Sequence, residues 1–210
     1  MKDQIIGHRK KQKAETYNLI FESAKSLFEE NGFEKTTMKK IAARVQISPG
    51  AIFKHFENKS ALLAATLFYD LEIVQEKAFD QISQKEPLQK QFLSIAKQFF
   101  QYYAIRPNLS KILVEHSLFV KGEWEKKFDD QTERLIKKTV HLIQKAKKQK
   151  VVEENVDSDL LATALFSHYL FVLILCVKET KINPDFALGL LSPLVNLTLS
   201  GSVQEKGSKV

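Results

Sequence analysis

Apolar side chains recur at helical spacing along nearly the whole chain, and runs in which polar and apolar residues alternate are absent. Among the 210 residues, only 7 Gly and 5 Pro interrupt this pattern. An amphipathic helix repeats its apolar residues every three or four positions, whereas a half-buried strand alternates them. The sequence therefore predicts an all-α fold, and its 44% hydrophobic content suits one sizeable core or two modest ones.

Start and stop signals divide the chain into nine predicted helices. Gly32 suits the left-handed end of the first helix, Pro107 follows the fifth, and Asp157 or Ser158 can cap the eighth. The predicted helices span about residues 12–31, 37–45, 49–56, 58–82, 87–104, 107–120, 123–150, 158–178 and 184–199.

The N-terminal quarter of the chain is basic. Residues 1–60 hold 12 Lys and Arg against 7 Asp and Glu, a net charge of +5, whereas residues 61–210 hold 20 against 18, a net charge of +2. A surplus of positive charge in one part of a chain favours a polyanionic partner for that part, either nucleic acid or a membrane surface.

Residues 36–63 contain two short amphipathic segments, each too short to bury much surface alone. In the first, Met38, Ile41 and Val45 fall on one helical face. In the second, Ser48 is a preferred N-cap residue, and Pro49 suits the first helical position.

The second segment predicts a helix with two unlike sides. Successive residues are about 100° apart around a helix. One side is therefore apolar and expected in the core, and it consists of Pro49, Ile52, Phe53 and Phe56. The other side is small or basic and consists of Gly50, Ala51, Lys54 and His55. Small residues allow close approach, and flanking cations suit a row of phosphates. Two short helices joined by a tight turn predict a helix-turn-helix unit, whose second helix enters the DNA major groove.

Residues 20–63 resemble the N-terminal region of the tetracycline-repressor (TetR) family of bacterial transcriptional regulators. The family pattern TT-x-x-x-IA is met at residues 36–42, and S-x-G-x-x-Y-x-H-F-x-x-K-x-x-L is met at residues 48–62, apart from its tyrosine. Phe53 replaces that tyrosine and lacks a hydroxyl for a phosphate. Gln46 replaces the usual glycine of the turn.

The resemblance implies a DNA-binding surface. It places Thr36 or Thr37 and Lys59 at phosphates, and it places Ser48, Gly50, Ala51 and Lys54 at base edges. His55 is expected at the DNA backbone, and Lys39 is expected near that backbone if the second helix crosses it. The chemistry agrees, because lysine can donate to guanine and alanine can meet a thymine methyl. A basic arm of Arg9, Lys10, Lys11 and Lys13 could add phosphate or minor-groove contacts, and its alternative is a solvated tail.

The same resemblance implies a larger helical body behind the DNA-binding head. We assign a helix-turn-helix domain with its basic arm to residues 1–60, an effector-binding and dimerisation domain to 61–200, and a flexible tail to 201–210. The last two predicted helices are largely apolar and must be covered, so we expect a homodimer on a pseudo-palindromic operator. The expected dimer contacts are Leu165, Phe171, Leu175, Leu188, Leu191, Leu194 and Val195.

Aromatic residues are frequent in the middle segments, where the resemblance implies a ligand pocket. Small-molecule sites are usually apolar cavities with few polar anchors, although aromatic residues at helical spacing more often pack in a core. We expect a small hydrophobic effector that lowers operator affinity. The expected ligand contacts are Phe100, Tyr103, His116, Phe119, Trp124, Phe166 and Tyr169.

Signals for other functions are weak. Phosphate-loop, dinucleotide, zinc-protease and nucleophile-elbow motifs are absent, so we expect no catalytic residue, metal or cofactor. A lone cysteine, Cys176, and the lack of a signal-peptide pattern favour the cytoplasm. Two alternatives remain open. One is an architectural DNA-binding protein without an effector, and the other is a membrane-associated protein, for which the apolar run 160–177 is barely long enough to span.

Overall fold

The computed structural model describes residues 2–179 and 182–201, and within residues 2–13 it describes the backbone alone. Over these ranges the chain forms nine α-helices and no strand, as the sequence predicts. The helices are α1 (Lys2–Lys35), α2 (Met38–Val45), α3 (Pro49–Phe53), α4 (Lys59–Asp80), α5 (Leu88–Ile105), α6 (Pro107–Ser117), α7 (Glu123–Lys148), α8 (Ser158–Val177) and α9 (Pro184–Ser200).

The start of α1 is the largest departure from the predicted boundaries. This helix begins at Lys2, well before the predicted start near residue 12, so residues of the expected basic arm have helical backbone. The side chains of that arm, Arg9, Lys10, Lys11 and Lys13, lie outside the described part of the chain. The predicted tail lies outside it as well, except for Gly201.

The first three helices form a small N-terminal head. α1 breaks at Gly32, where φ is 75°, a value that glycine adopts without steric cost. Phe33 then folds back on the last turn, with its ring centroid 5.6 Å from that of Phe28. Ile41 in α2 and Ile52 in α3 are fully buried against this helix end and complete the core of the head.

The turn between α2 and α3 has the geometry that glycine usually supplies. Gln46 lies in the left-handed region, with φ 59° and ψ 38°, and its N–H donates to the carbonyls of Ala42 and Ala43. The N–H of Ile47 also donates to the Ala42 carbonyl, at 3.0 Å. These bonds satisfy carbonyls at the end of α2. The departure from glycine therefore preserves the turn, at a backbone cost of roughly 1 kcal/mol.

The remaining helices form the body, which α4 connects to the head. Asn58 caps α4 by accepting the N–H of Ala61 at 2.8 Å, and Asp157 caps α8 by accepting the N–H of Asp159 at 2.9 Å. α8 packs against both α7 and α9, and α5 packs against α4 and α9. Most of these helix ends lie close to their predicted positions because local capping signals determine them.

We predict that Gln46→Gly stabilises the protein. Glycine removes the left-handed strain of an L-residue but increases the entropy of the unfolded chain, so the free energy of unfolding should rise by about 0.5–1 kcal/mol. Urea unfolding followed by circular dichroism measures this change. Ala43→Gly, at an exposed position inside α2, is the matched control and should lower stability by about 1 kcal/mol. A loss of stability in Gln46→Gly would contradict the assigned turn geometry.

Candidate nucleic-acid interface

The outer side of α3 carries side chains that the fold does not use. Ile52 and Phe56 are buried and anchor this part of the chain in the head. Ser48, Gly50 and Lys54 are exposed, and the Ser48 hydroxyl makes no hydrogen bond to the helix that it precedes. The hydroxyl and the ammonium are therefore available to an external partner.

Packing within the chain does not explain Gly50. A Cβ atom added at this position would meet no neighbouring atom within 4 Å, and the backbone is not in the left-handed region. Glycine inside a helix lowers stability relative to alanine. Ala51, beside it, is half-buried and also small. The helix backbone is therefore accessible on this side of α3, and contacts within the chain do not require it to be.

The expectation that Phe53 and Pro49 belong to the core is wrong. The Phe53 side chain is 51% exposed and Pro49 is exposed, whereas Ile52 and Phe56 are buried. Within the five-residue α3 the buried side is narrow: Pro49 lies about 60° and Phe53 about 100° around the helix from the buried Ile52, so both fall beyond its edge. An aromatic ring therefore lies on the accessible face of the head, beside Lys54.

The two threonines that precede α2 have different roles. Thr36 is fully buried, and its hydroxyl hydrogen-bonds to the carbonyls of Leu27 and Gly32 at 3.0 and 2.8 Å. The expected phosphate contact is therefore wrong for Thr36, which instead closes the break after α1. Thr37 is exposed and caps α2 by accepting the N–H of Lys40 at 3.2 Å. Lys39, next along the helix, is exposed as well.

Lys59 and His55 contact the head itself. The Nζ of Lys59 donates to the Phe33 carbonyl at 2.6 Å and lies 4.0 Å from the centroid of the Phe33 ring. Lys59 therefore ties the start of α4 to the end of α1, a role that differs from the expected phosphate contact. His55 is half-buried, with its ring centroid 4.8 Å from that of Tyr17.

A buried ionic network joins α1 to the body. The Nζ of Lys25, a residue that is only 6% exposed, donates to the two carboxylate oxygens of Asp70 in α4 at 3.0 and 2.9 Å. Tyr102 in α5 donates its hydroxyl to Asp70 at 3.1 Å. Glu22 in α1 pairs with Lys25 at 2.5 Å and with Arg106 at 3.0 Å. The network therefore connects the head to α4 and to the end of α5.

Burial and charge set the protonation states in this network. Burial and the negative charge of Asp70 raise the pKa of Tyr102 well above its usual value, so the hydroxyl stays neutral and can donate. Burial alone would raise the pKa of Glu22, but hydrogen bonds from Lys25 and Arg106 outweigh it and lower the pKa. At neutral pH the Glu22 carboxyl is therefore charged and the Tyr102 phenol is neutral.

α1 also contacts both ends of α6. The Glu29 carboxylate accepts the N–H of Leu109, in the first turn of α6, at 2.7 Å. A negative charge at this position is favourable because unpaired N–H groups gather at a helix N-terminus. Near the other end of α6, the ring of His116 lies 4.5 Å from that of Phe33.

A cleft of about 270 Å³, which we call the body cleft, opens between α4, α5, α6, α7 and α8. Three of the expected ligand residues, Tyr103, Phe166 and Tyr169, line it. Phe100 does not line it, because this residue is fully buried with its ring centroid 5.4 Å from that of Tyr169. Phe100 therefore supports the wall of the cleft and has no surface for a ligand.

The other expected ligand residues border a second cavity, of about 860 Å³, between the head and the body. These residues are His116, Phe119 and Trp124. The Phe119 side chain is 80% exposed, and the Trp124 ring has the Lys127 ammonium 4.1 Å from its centroid. The predicted ligand residues are therefore divided between two cavities and do not form one site.

The sequence prediction missed two glutamines in the body cleft. Gln75 and Gln131 both line it, and both are buried. The side-chain amide of Gln131 donates to Glu72 at 2.7 Å and to a backbone carbonyl at 3.0 Å. A signal for Gln75 was present, because it follows Leu67 and Leu71 at intervals of four and so interrupts the inward-facing stripe of α4.

α8 and α9 leave an apolar surface uncovered, which we call the C-terminal face. Its large exposed side chains are Leu160, Phe171, Leu175, Phe186 and Leu197. The two helices are joined beside it by a hydrogen bond of 2.7 Å between His168 Nε2 and Thr198 Oγ1. By length and composition alone α8 could cross a membrane, and 44% of its most apolar window is buried against the rest of the chain.

The expected dimer contacts agree only in part with this surface. Phe171 and Leu175 lie on the C-terminal face, and Leu188 and Leu194 are half-buried. The remaining three, Leu165, Leu191 and Val195, are fully buried inside the subunit, so the prediction is wrong for them. In helices apolar on nearly all sides, residue type alone does not distinguish the inner face from the outer one.

The N-terminal sequence matches known regulators. The sequence model of the family described as "Bacterial regulatory proteins, tetR family" matches residues 20–66. The HTH-type transcriptional regulator UidR of Escherichia coli is 40% identical to this chain over 57 residues, which are 27% of this chain and 29% of UidR. The match thus spans less than a third of that relative.

Solved structures share the fold over most of the chain. A TetR-family transcriptional regulator from Pectobacterium atrosepticum has a TM-score of 0.72 at 19% identity, covering 91% of this chain and 96% of that one. FadR from Bacillus subtilis, solved in complex with stearoyl-CoA, has a TM-score of 0.72 at 18% identity, covering 88% of this chain and 98% of that one. Both agree with this chain in the arrangement of the head and the helical body.

We predict that Lys25→Met destabilises the protein by about 3 kcal/mol, because it leaves the Asp70 carboxylate partly buried without its cation. Urea unfolding measures the loss. The double variant Lys25→Met with Asp70→Leu should recover much of it, since neither charge is then left unpaired. A loss of the same size in the double variant would show that packing of the Lys25 stem, and not the ion pair, holds α1 on the body.

Proposed function

We propose that the chain, whose residues 20–66 match the TetR-family sequence model, is a TetR-family sequence-specific DNA-binding transcriptional regulator. The observation that carries this proposal is the outer side of α3, where Ser48, Gly50 and Lys54 are exposed and Gly50 has no packing reason to be glycine. A helix of this kind, following a tight turn and held by a compact head, is suited to enter the major groove of DNA.

The exposed groups of the head match the chemistry of DNA. Lys54 can donate to guanine O6 or N7, and the Ala51 methyl or the Phe53 ring can contact a thymine methyl. The start of α2, at Thr37 and Lys39, can bind phosphates through a helix N-terminus and a cation. Base contacts would supply sequence preference, and phosphate contacts would set the position of the head.

The C-terminal face supports a homodimer as the DNA-binding form. Exposed apolar surface of this kind on a soluble protein commonly marks an interaction site, and a twofold axis would let two copies of α8 and α9 cover each other. The dimer would then present two α3 helices to the half-sites of a pseudo-palindromic operator.

We further propose that the protein is a repressor whose operator affinity falls when a small hydrophobic effector binds. The body cleft supports this proposal because it is apolar, has few polar groups and lies against α4, the helix that continues into the head. The head and body would then have two arrangements, one that binds the operator and one that does not. A ligand can shift the balance between them only if it binds one arrangement more tightly than the other.

We propose no catalytic role, and we place the protein in the cytoplasm. Within the described residues, no three His, Cys, Asp or Glu side chains form a group that could hold a metal ion. Cys176 is buried, and burial raises the pKa of its thiol, which suppresses the reactive thiolate.

We predict that the protein prefers DNA from the intergenic region beside its own gene over scrambled DNA by roughly 10³-fold or more at near-physiological salt. Lys54→Ala should weaken specific binding by about 1–3 kcal/mol. Gly50→Ala should weaken it as well, because the added methyl blocks close approach, while leaving the melting temperature unchanged or higher. Fluorescence anisotropy with labelled duplexes measures the affinities.

The control for these variants is Lys85→Ala, at an exposed position in the connection between α4 and α5. It has the same change of charge as Lys54→Ala and should bind the operator as the unmodified protein does. Equal weak binding to both DNA fragments, insensitive to Gly50→Ala, would favour an architectural DNA-binding protein or an operator elsewhere.

We predict that the protein is a dimer in solution, with twice the 24.1 kDa mass of the chain in light scattering. A double variant, Phe171→Asp with Leu197→Asp, should dissociate it because the charges would be buried unpaired in the interface. Ile105→Asp is the control, since Ile105 is 73% exposed but lies outside the C-terminal face. A stable monomer in the unmodified protein would contradict the prediction.

A further inference from the structure

Gln75 carries a buried amide that has no hydrogen-bond partner among the described residues. The residue is 4% exposed and lines the body cleft. In the described part of the chain, every side-chain nitrogen or oxygen that is completely enclosed has a hydrogen-bond partner. The amide atoms of Gln75 have no partner, so they are not completely enclosed and border the open space of the cleft. Buried polar groups in proteins are nearly always paired, and the Gln75 amide therefore presents an unused donor and an unused acceptor to whatever fills the cleft.

Two tyrosines add neutral polar groups to the same lining. Tyr103 and Tyr169 line the cleft and are both at most 7% exposed. Burial raises the pKa of each phenol well above its usual value. Both hydroxyls therefore stay uncharged at neutral pH. Because they also interact with each other, only the donor or acceptor capacity that this pairing leaves unused is open to a ligand.

The charge of the cleft excludes an anionic ligand head group. Among the described residues that line the body cleft, Asp129 alone is charged, and its side chain is exposed. No Lys or Arg of the described residues lines the cleft. A carboxylate or phosphate buried here would have no cation to pair with, and an unpaired buried charge is strongly unfavourable.

Size sets a further limit on the ligand. The cleft has a volume of about 270 Å³, which is near the lower end of the range for small-molecule sites. Ser117, Gln131 and Thr132 add further neutral polar groups to its lining, and the other walls are apolar side chains such as Leu71, Phe99 and Leu173. The cleft therefore suits a small apolar molecule with one polar end.

We infer that the molecule that binds the body cleft is small, mostly apolar and uncharged, and that it carries a hydroxyl or carbonyl group that pairs with the Gln75 amide. This inference rests on the proposed function, in which the body cleft holds the effector. It narrows the effector class from hydrophobic molecules in general to neutral ones, and it excludes fatty acids and acyl thioesters of coenzyme A that would bury their charged groups in the cleft.

Isothermal titration calorimetry with three ten-carbon probes tests the inference on the full chain at neutral pH. The probes are 1-decanol, decanoate and decyltrimethylammonium, which share an alkyl chain and differ in the charge of the head group. We expect 1-decanol to bind and both charged probes to bind about tenfold or more weakly. Decanoate would enter the cleft without a cation to pair with. Decyltrimethylammonium has no N–H or O–H for the Gln75 amide, and it would meet only the exposed, solvent-screened charge of Asp129.

A second arm tests the role of Gln75. Gln75→Leu should weaken 1-decanol binding about fivefold, the size expected for one hydrogen bond. Its melting temperature should not fall, since the substitution removes a buried unpaired amide. Gln101→Leu, at an exposed position on α5, is the matched control and should leave the affinity unchanged.

Three results would overturn the inference. They are decanoate binding as tightly as 1-decanol, unchanged 1-decanol affinity in a folded Gln75→Leu variant, and no heat of binding with 1-decanol. Operator binding measured by anisotropy on the same preparations separates these results from failure of the proposed function. If 1-decanol binds through Gln75 but does not lower operator affinity, the ligand class is supported and the regulatory role of the cleft is contradicted.

Discussion

The ion pair between Lys25 and Asp70 determines how the head is held on the body. The Lys25 ammonium is almost completely removed from water, which is unfavourable unless an opposite charge and hydrogen bonds lie close to it. Asp70 provides both carboxylate oxygens, and Tyr102 donates to the same carboxylate. Displacement of α1 along α4 would leave these groups buried and unpaired. The network therefore allows few relative positions of the two helices, and the orientation of α3 follows from that position.

Local signals in the sequence predicted the architecture of the head but not the accessibility of its side chains. Gly32, Pro49 and Asn58 act within one turn of their own positions, and the structure has a helix break at Gly32 and helix starts at the other two. Thr36 and Thr37 are adjacent and chemically identical, yet one is buried and the other exposed. Their difference depends on the carbonyls of α1, and such tertiary contacts cannot be obtained from periodicity in a single segment.

In the body, as in the head, the sequence predicted the helices but not which of their side chains are exposed. Its helices were predicted from periodicity and caps, but Phe100 and Phe166 have the same chemistry and only Phe166 borders the body cleft. Leu165 and Leu175 lie on one helix, and only the second is exposed. Where a helix is apolar on nearly all sides, its pattern contains no information on which side faces a cavity, a neighbouring helix or a second subunit. Polar residues within an apolar stripe, such as Gln75, are the better signal.

α4 brings these contacts together on one element. Lys59 ties its start to the end of α1, Asp70 pairs with Lys25 near its middle, and Gln75 reaches the body cleft further along. Asp70 and Gln75 are five residues apart, a rise of about 7.5 Å along a helix. Packed helices shift as units because their interiors are dense. A ligand that moves α4 at Gln75 would therefore disturb the contacts of both Lys59 and Asp70 with α1. The change in operator affinity cannot exceed the ligand's preference for one position of α4 over the other.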